Sequence, residues 1–223
     1  AILVELSRAA ERNGERRHAA SYAAQAVTLT PDRAAPAIRE VEALVALGRT
    51  RAAGKAIERA WRTAPHPALA RLYEGLNPAD TPLARLTTVQ RLADENPDCE
   101  DSRVIVATAA LDARLWGEAR RHLSLAVAAA ASPPGPSRRL CRLMARLEES
   151  EHNDAARTRA WLDRAVSAPP DPRYVCTHCG AEGPAWHALC RDCGGFDTVA
   201  WQTGAAPARP VLAPSGLLQT LLP

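Results

Sequence analysis

Four cysteines carry the densest chemistry in this chain of 223 residues. Cys176, Cys179, Cys190 and Cys193 fall within eighteen residues, as two C-x-x-C-G units separated by ten residues. Two thiolates from one tight turn reach the same ion, and two such turns complete a tetrahedral shell. The glycine after each pair, Gly180 and Gly194, relieves the strain of that turn. Four filled positions leave none for water or substrate, so the spacing predicts a structural ion and not a catalytic one. Zinc is the expected occupant and iron the alternative, since ligand spacing does not separate the two.

Other uses of these residues fit the pattern less well. Clustered C-x-x-C units read as metal knuckles of a reducing compartment, not as a disulfide framework. A redox dithiol has one C-x-x-C opening a helix in a βαβ context, and that context is missing here. His178 and His187 flank the ligands and are expected at the surface or behind the ligating sulfurs, because four cysteines already suffice. Cys99 and Cys141 stand alone in sequence and are expected to be bystander thiols. Between residues 174 and 201 the charges are Arg191 against Glu182, Asp192 and Asp197, the wrong sign for a phosphate backbone. No nucleic-acid partner is expected. Tyr174, Trp186, Phe196 and Trp201 crowd into this short stretch and are expected to form its small core or a docking surface. The metal supplies what so small a core cannot.

The elements that must present this module are helical. Gly14, Ala19, Ala23, Ala26 and Pro31 recur as Gly48, Ala53, Ile57, Ala60 and Pro65, every member displaced by 34 residues. That is the tetratricopeptide (TPR) period. The residue types suit a helical hairpin: glycine at the turn, small side chains at i, i+4 and i+7 where two helices approach, and proline at the exit. Later units are looser. Leu69, Leu72, Tyr73 and Leu76 form one apolar face, and Leu83, Leu86, Val89 and Leu92 the next, ending at Pro97 with a shortened turn at Asn77-Pro78. Val104 to Ala113 and then Trp116, Ala119, Leu123 and Ala126 make a fourth hairpin. Residues 137–151 and 154–167 make a fifth, closed by Pro169, Pro170 and Pro172.

The expected fold is therefore all-α: a right-handed TPR-like solenoid of about five hairpins over residues 1–168, then a tetracysteine ribbon over 169–202 and a Pro/Ala/Leu-rich tail over 203–223. The ribbon is placed to cap the solenoid end. The Leu217–Leu222 cluster of the tail is read as frayed or as a short docking helix. Stacked hairpins leave a concave groove for partner peptides. Its expected lining is Val4, Arg8, Ile38, Glu42, Val45, Ala70, Glu74, Val104, Thr108 and Leu111, with packing between neighbouring repeats as the competing use of each. Trp61, Trp116 and Trp161 are expected in the core. These groove positions lack the Lys, Asn and Arg set that clamps a chaperone's terminal carboxylate.

Composition narrows the function classes further. The chain is 47% hydrophobic but only 4% aromatic, which favours close-packed helices over a β-sandwich. A net charge of +3 carries no nucleic-acid signal by itself. No apolar run reaches the ~18–20 residues a membrane span needs, and no signal-peptide pattern opens the chain. Its start at Ala1 is read as a processed or truncated product. No Ser/His/Asp set, paired carboxylates or phosphate loop clusters, so no enzyme is expected.

The arrangement of helical hairpins and a C-terminal tetracysteine ribbon resembles the HemY-type TPR proteins of alphaproteobacteria. The resemblance runs through Leu115-Trp116-Gly117-Glu118-Ala119-Arg120, Pro169-Pro170-Asp171-Pro172 and Cys193-Gly194-Gly195-Phe196-Asp197, with Trp201 downstream. It implies an inner-membrane factor of protoheme biogenesis, facing the cytoplasm and held by an N-terminal anchor outside this chain. The chain is also similar to LapB-type regulators of lipopolysaccharide assembly, which pack a rubredoxin-type unit against TPR repeats. The flavin-dependent oxidase also called HemY is rejected, because no GxGxxG fingerprint occurs.

Overall fold

The computed structural model describes residues 1–202, so the expectation for Leu217–Leu222 lies outside the described residues. The chain divides into two compact units, Ala1–Asp171 and a second from Pro172 onward. The first unit is ten helices in order: α1 Ile2–Arg12, α2 Arg16–Leu29, α3 Ala34–Ala46, α4 Thr50–Trp61, α5 Pro67–Leu76, α6 Pro82–Ala93, α7 Glu100–Asp112, α8 Trp116–Ala129, α9 Arg138–His152 and α10 Ala155–Ser167. They pair in sequence as five hairpins, and each hairpin packs on the next. This is the TPR-like architecture expected from the 34-residue offset.

The turns follow from backbone chemistry. Gly14 (φ 80°) and Gly48 (φ 72°) sit in the left-handed region, where a side chain is costly. At the first turn the Glu15 amide donates to Ala10 O at 2.8 Å and the Gly14 amide to Glu11 O at 2.9 Å. The Arg49 and Gly48 amides repeat this toward Leu44 and Val45. The fourth hairpin makes the same two bonds with Arg114 (φ 57°) in the glycine position. At the fifth turn Asn153 (φ 51°) is the left-handed residue. Proline opens α5 and α6, where its missing N–H has no helical partner to lose. Thr81, Ser137 and Asp154 cap α6, α9 and α10 by accepting backbone N–H bonds.

The alanines fill the spaces where second helices meet their neighbours. Ala19, Ala23 and Ala26 in α2, Ala53, Ile57 and Ala60 in α4, and Ala119, Leu123 and Ala126 in α8 are all buried at the same i, i+4, i+7 spacing. Trp61 is fully buried and its Nε1 donates to Ser102 Oγ at 2.8 Å. Trp116 and Trp161 are half-buried against the core of the later hairpins. Leu83 departs from its expected inward face and is exposed; at the second position of α6 it lies a turn before the packed stripe of Leu86, Val89 and Leu92.

Polar links bind adjacent hairpins. The Arg39 guanidinium is buried, donates to Ser7 Oγ at 2.8 Å and pairs with Glu11 at 2.8 Å. A second chain of charges runs Glu74–Arg85–Asp112–Arg146, with separations of 2.6, 2.5 and 2.7 Å. No helix of the described residues is long and apolar enough to cross a membrane.

The second unit holds a three-stranded antiparallel sheet in the order β2-β1-β3. Its strands are β1 Arg173–Cys176, β2 Glu182–Gly183 and β3 Val199–Gln202. Val175 pairs with Glu182 on one side and with Ala200 on the other. Tyr174 packs edge-on against Trp201 with ring centroids 4.9 Å apart, and Trp186 is buried. Phe196, expected in this small core or on a docking surface, is exposed, as is Leu189, to which a backbone bridge joins it.

Candidate metal centre

Each cysteine pair is placed by one turn. Cys176 ends β1, and the Gly180 amide reaches back to Cys176 O at 2.9 Å, with Gly180 left-handed (φ 71°). The second turn is its copy: the Gly194 amide donates to Cys190 O at 2.9 Å, and Gly194 has φ 69°. These bonds curl the chain so that both sulfurs of a pair face inward.

The four sulfurs lie within 4.8 Å of one another. Cys176 Sγ is 3.8 Å from Cys193 Sγ, and Cys179 Sγ is 3.7 Å from Cys190 Sγ. A tetrahedron of sulfurs about 2.3 Å from a central ion has edges of about 3.8 Å. The observed spacings match that edge, whereas a disulfide brings two sulfurs to about 2.05 Å. All four thiols are free, so they present the ligand set of a four-sulfur metal site.

Charge reinforces the fit. Burial opposes a thiolate at Cys176, but hydrogen bonding with the Thr198 hydroxyl and with the Cys179 and His178 amides outweighs it and brings the thiol down to about 6. At Cys179 the Ala181 amide favours the thiolate, yet desolvation and hydrogen bonding with Cys193, Cys176 and Cys190 push the thiol up to about 12. Cys193 is also raised. Cys176 thus ionises readily while Cys179 and Cys193 resist, as expected of like charges a few ångströms apart. A divalent cation held by these four sulfurs would supply the missing counter-charge and favour the thiolate at each of them.

Two supporting residues were not legible from the knuckle spacing. Thr198 lies 3.2 Å from Cys176 Sγ through its hydroxyl, which also bonds Gly195 O at 3.1 Å. Gly195 leaves the space this requires: a Cβ there would stand 2.9 Å from Thr198 Oγ1 and 3.3 Å from Cys193 Sγ. The only sequence signal was the doubled glycine after Cys193. His178 is exposed, and neither it nor His187 belongs to the sulfur cluster. Cys99 and Cys141 lie in the helical unit, where Cys99 caps α7 and Cys141 is buried with its thiol pushed up by desolvation.

The expected groove lining is only partly a surface. Leu111 is a correction: it belongs to the core of the later hairpins, because α7 turns it toward α8 and α9. Val4 and Ala70 are likewise buried. Ile38 packs against the core of the early hairpins. Arg8 pairs with Glu5, Glu42 with Arg39 and Glu74 with Arg85. Thr108 returns its hydroxyl to Val104 O, and both residues are half-buried. Val45 and Glu42 are the exposed members.

No protein-family model matches the chain. It is 30% identical over 187 residues to the probable magnetosome protein Mms48 of Magnetospirillum gryphiswaldense, a match covering 81% of this chain and 39% of that protein. The chain therefore spans about two-fifths of the length of the curated relative it matches. Among solved structures it is similar to YrrB, described as a TPR protein with an unusual peptide-binding site. That match has 15% identity and a TM-score of 0.41, over 74% of this chain and 83% of the other. Similarity to TTC0263, a TPR protein of Thermus thermophilus, has 13% identity and a TM-score of 0.43, over 74% and 89%. Similarity to MamA has 12% identity and a TM-score of 0.41, over 72% and 92%.

Proposed function

We propose that this chain is a non-enzymatic TPR-type scaffold for partner proteins, carrying a small module held together by one structural zinc ion. The observation that carries the metal half is the four-sulfur cluster, whose 3.7 and 3.8 Å spacings fit a closed tetrahedral shell. A closed shell gives the ion no open position for substrate, so its work is to hold β1, the two knuckles and β3 in one fold. The scaffold half rests on the hairpin repeat, which builds extended surface rather than an enclosed reaction chamber. Iron is the alternative ion, with redox sensing as its consequence. A red protein with stoichiometric iron after aerobic purification would replace the zinc assignment.

The partner class follows from resemblance. The HemY-type pattern points to enzymes of heme biosynthesis at the cytoplasmic face of the inner membrane, the LapB-type pattern to lipopolysaccharide assembly. The relative's name adds the magnetosome as a setting for a protein that shares this region. Affinity capture of the full-length protein from its native host, with Cys176→Ser as control, separates them. Enrichment of tetrapyrrole-pathway enzymes supports the heme reading. Lipopolysaccharide-synthesis proteins, or magnetosome proteins, would each displace it. Reproducible absence of any partner would overturn the scaffold reading.

A further inference from the structure

A basic cleft lies on the opposite side of α3 from the expected groove. Residues of α2, α3 and α4 line a cavity of about 530 Å³. On α3 and its C-terminal cap it uses Glu40, Leu44 and Leu47. These stand two residues, about 200° of helical rotation, from Ile38, Glu42 and Val45. Arg17 of α2, Arg49 at the start of α4, and Lys55 and Arg59 of α4 surround the opening. The single carboxylate, Glu40, is taken by Arg59 at 2.6 Å. Arg17, Arg49 and Lys55 are exposed, and their side chains make no hydrogen bond or ion pair among the described residues.

The excess of positive charge lies in the early hairpins. In the later hairpins Arg85, Arg120 and Arg139 each engage two carboxylates. Residues 1–66 carry eleven Arg and Lys against seven Asp and Glu. Arg49 is the N-cap of α4, whose first turn holds no acid, so a cation stands where the helix dipole favours an anion. A bound carboxylate would relieve both the dipole and the mutual repulsion of the cations. The floor is aliphatic, with Leu44 and Leu47 half-buried, and no aromatic lines the cleft to stack a base.

We propose that this cleft binds an acidic peptide segment of a partner protein, with carboxylates on Arg17, Arg49 and Lys55 and an aliphatic side chain on Leu44 and Leu47. The assignment is independent of the metal centre and of the other face of α3, so its failure leaves the scaffold reading standing. The test is fluorescence anisotropy of the full chain with a labelled peptide of sequence Glu-Glu-Leu-Glu-Glu-Leu, at low salt. Lys55→Glu and Arg17→Glu should each weaken binding about tenfold, since each turns an attraction for the peptide's carboxylates into a repulsion. Arg142→Glu, on the exposed face of α9, should leave binding unchanged, and all three should keep the parent's helical CD spectrum. A peptide with Ser in place of Leu should bind several-fold more weakly. Absence of peptide binding, or equal binding by all variants, would overturn the proposal. So would a cleft-dependent preference for a thymidine oligonucleotide, inorganic phosphate or phosphatidylglycerol vesicles over the peptide.

Discussion

His66 makes the helical unit sensitive to mild acid in a way that can be calculated and removed. It is 4% exposed, and its Nδ1 caps α5 by accepting the Ala68 amide at 3.0 Å. Only a neutral imidazole can accept there; protonation abolishes the cap and sets a buried cation at the positive end of a helix. Burial, with the nearby Arg71 charge adding to it, lowers the histidine from 6.5 to about 4. A depressed histidine pKa means that the unfolded chain binds the proton first. The stabilisation is therefore complete above pH 6.5 and is lost as pH falls toward 4. The full gap corresponds to about 3 kcal/mol, and about 2 kcal/mol of it is gone by pH 4.5. Urea unfolding followed by helical CD at pH 7.0 and 4.5 reads this directly. The comparison protein is His66→Asn, which keeps a capping side chain without a titrating ring. Both proteins share every other titration, including that of His122, which burial also lowers. The wild type should lose about 2 kcal/mol more than the variant. Equal losses in the two proteins, or a measured His66 pKa near 6.5, would refute the reasoning.

Three further substitutions test other parts of the structure. Trp61→Ala should cost about 3–5 kcal/mol in urea unfolding, since it empties a fully buried indole site and removes the bond to Ser102; a loss below 1 kcal/mol would contradict that packing. Arg114→Gly should raise stability by up to about 1 kcal/mol, because it frees the φ 57° position from a side-chain penalty; a destabilised variant would show that the Arg114 side chain contributes something the turn geometry does not require. Gly195→Ala should speed metal release to a competing chelator by displacing Thr198 from Cys176, with helical CD unchanged; release at the parent rate would remove Thr198 from the account.

The repeat was legible where one residue type has one physical use. Gly14 and Gly48 occupy left-handed turns, and the alanines between them mark close helix approach, so a single offset exposed both the period and the buried stripe. The pattern faded where other residues met the same demand. Arg114 and Asn153 take the left-handed positions of later turns, and no glycine announces them. Which face of a first helix is open was harder still. Leu111 is buried because α8 and α9 both pack on α7, a fact about neighbours and not about α7 itself. The Arg39–Ser7–Glu11 link joins residues up to 32 apart, and the cleft over α3 draws on three helices, so neither leaves a local signature. The sulfur cluster was legible because four thiols at that spacing have few other uses, while Thr198 and Gly195 matter only through distances that the folded knuckle creates.

Metal-edge X-ray absorption, with elemental analysis on the same sample, reads whether the four sulfurs hold a metal. One zinc per chain is expected, bound by four sulfurs at about 2.3 Å and lost in Cys190→Ser. Fewer than three sulfur neighbours, a metal-free protein with Cys176 and Cys193 joined as a disulfide, or full metal content in Cys190→Ser would contradict it.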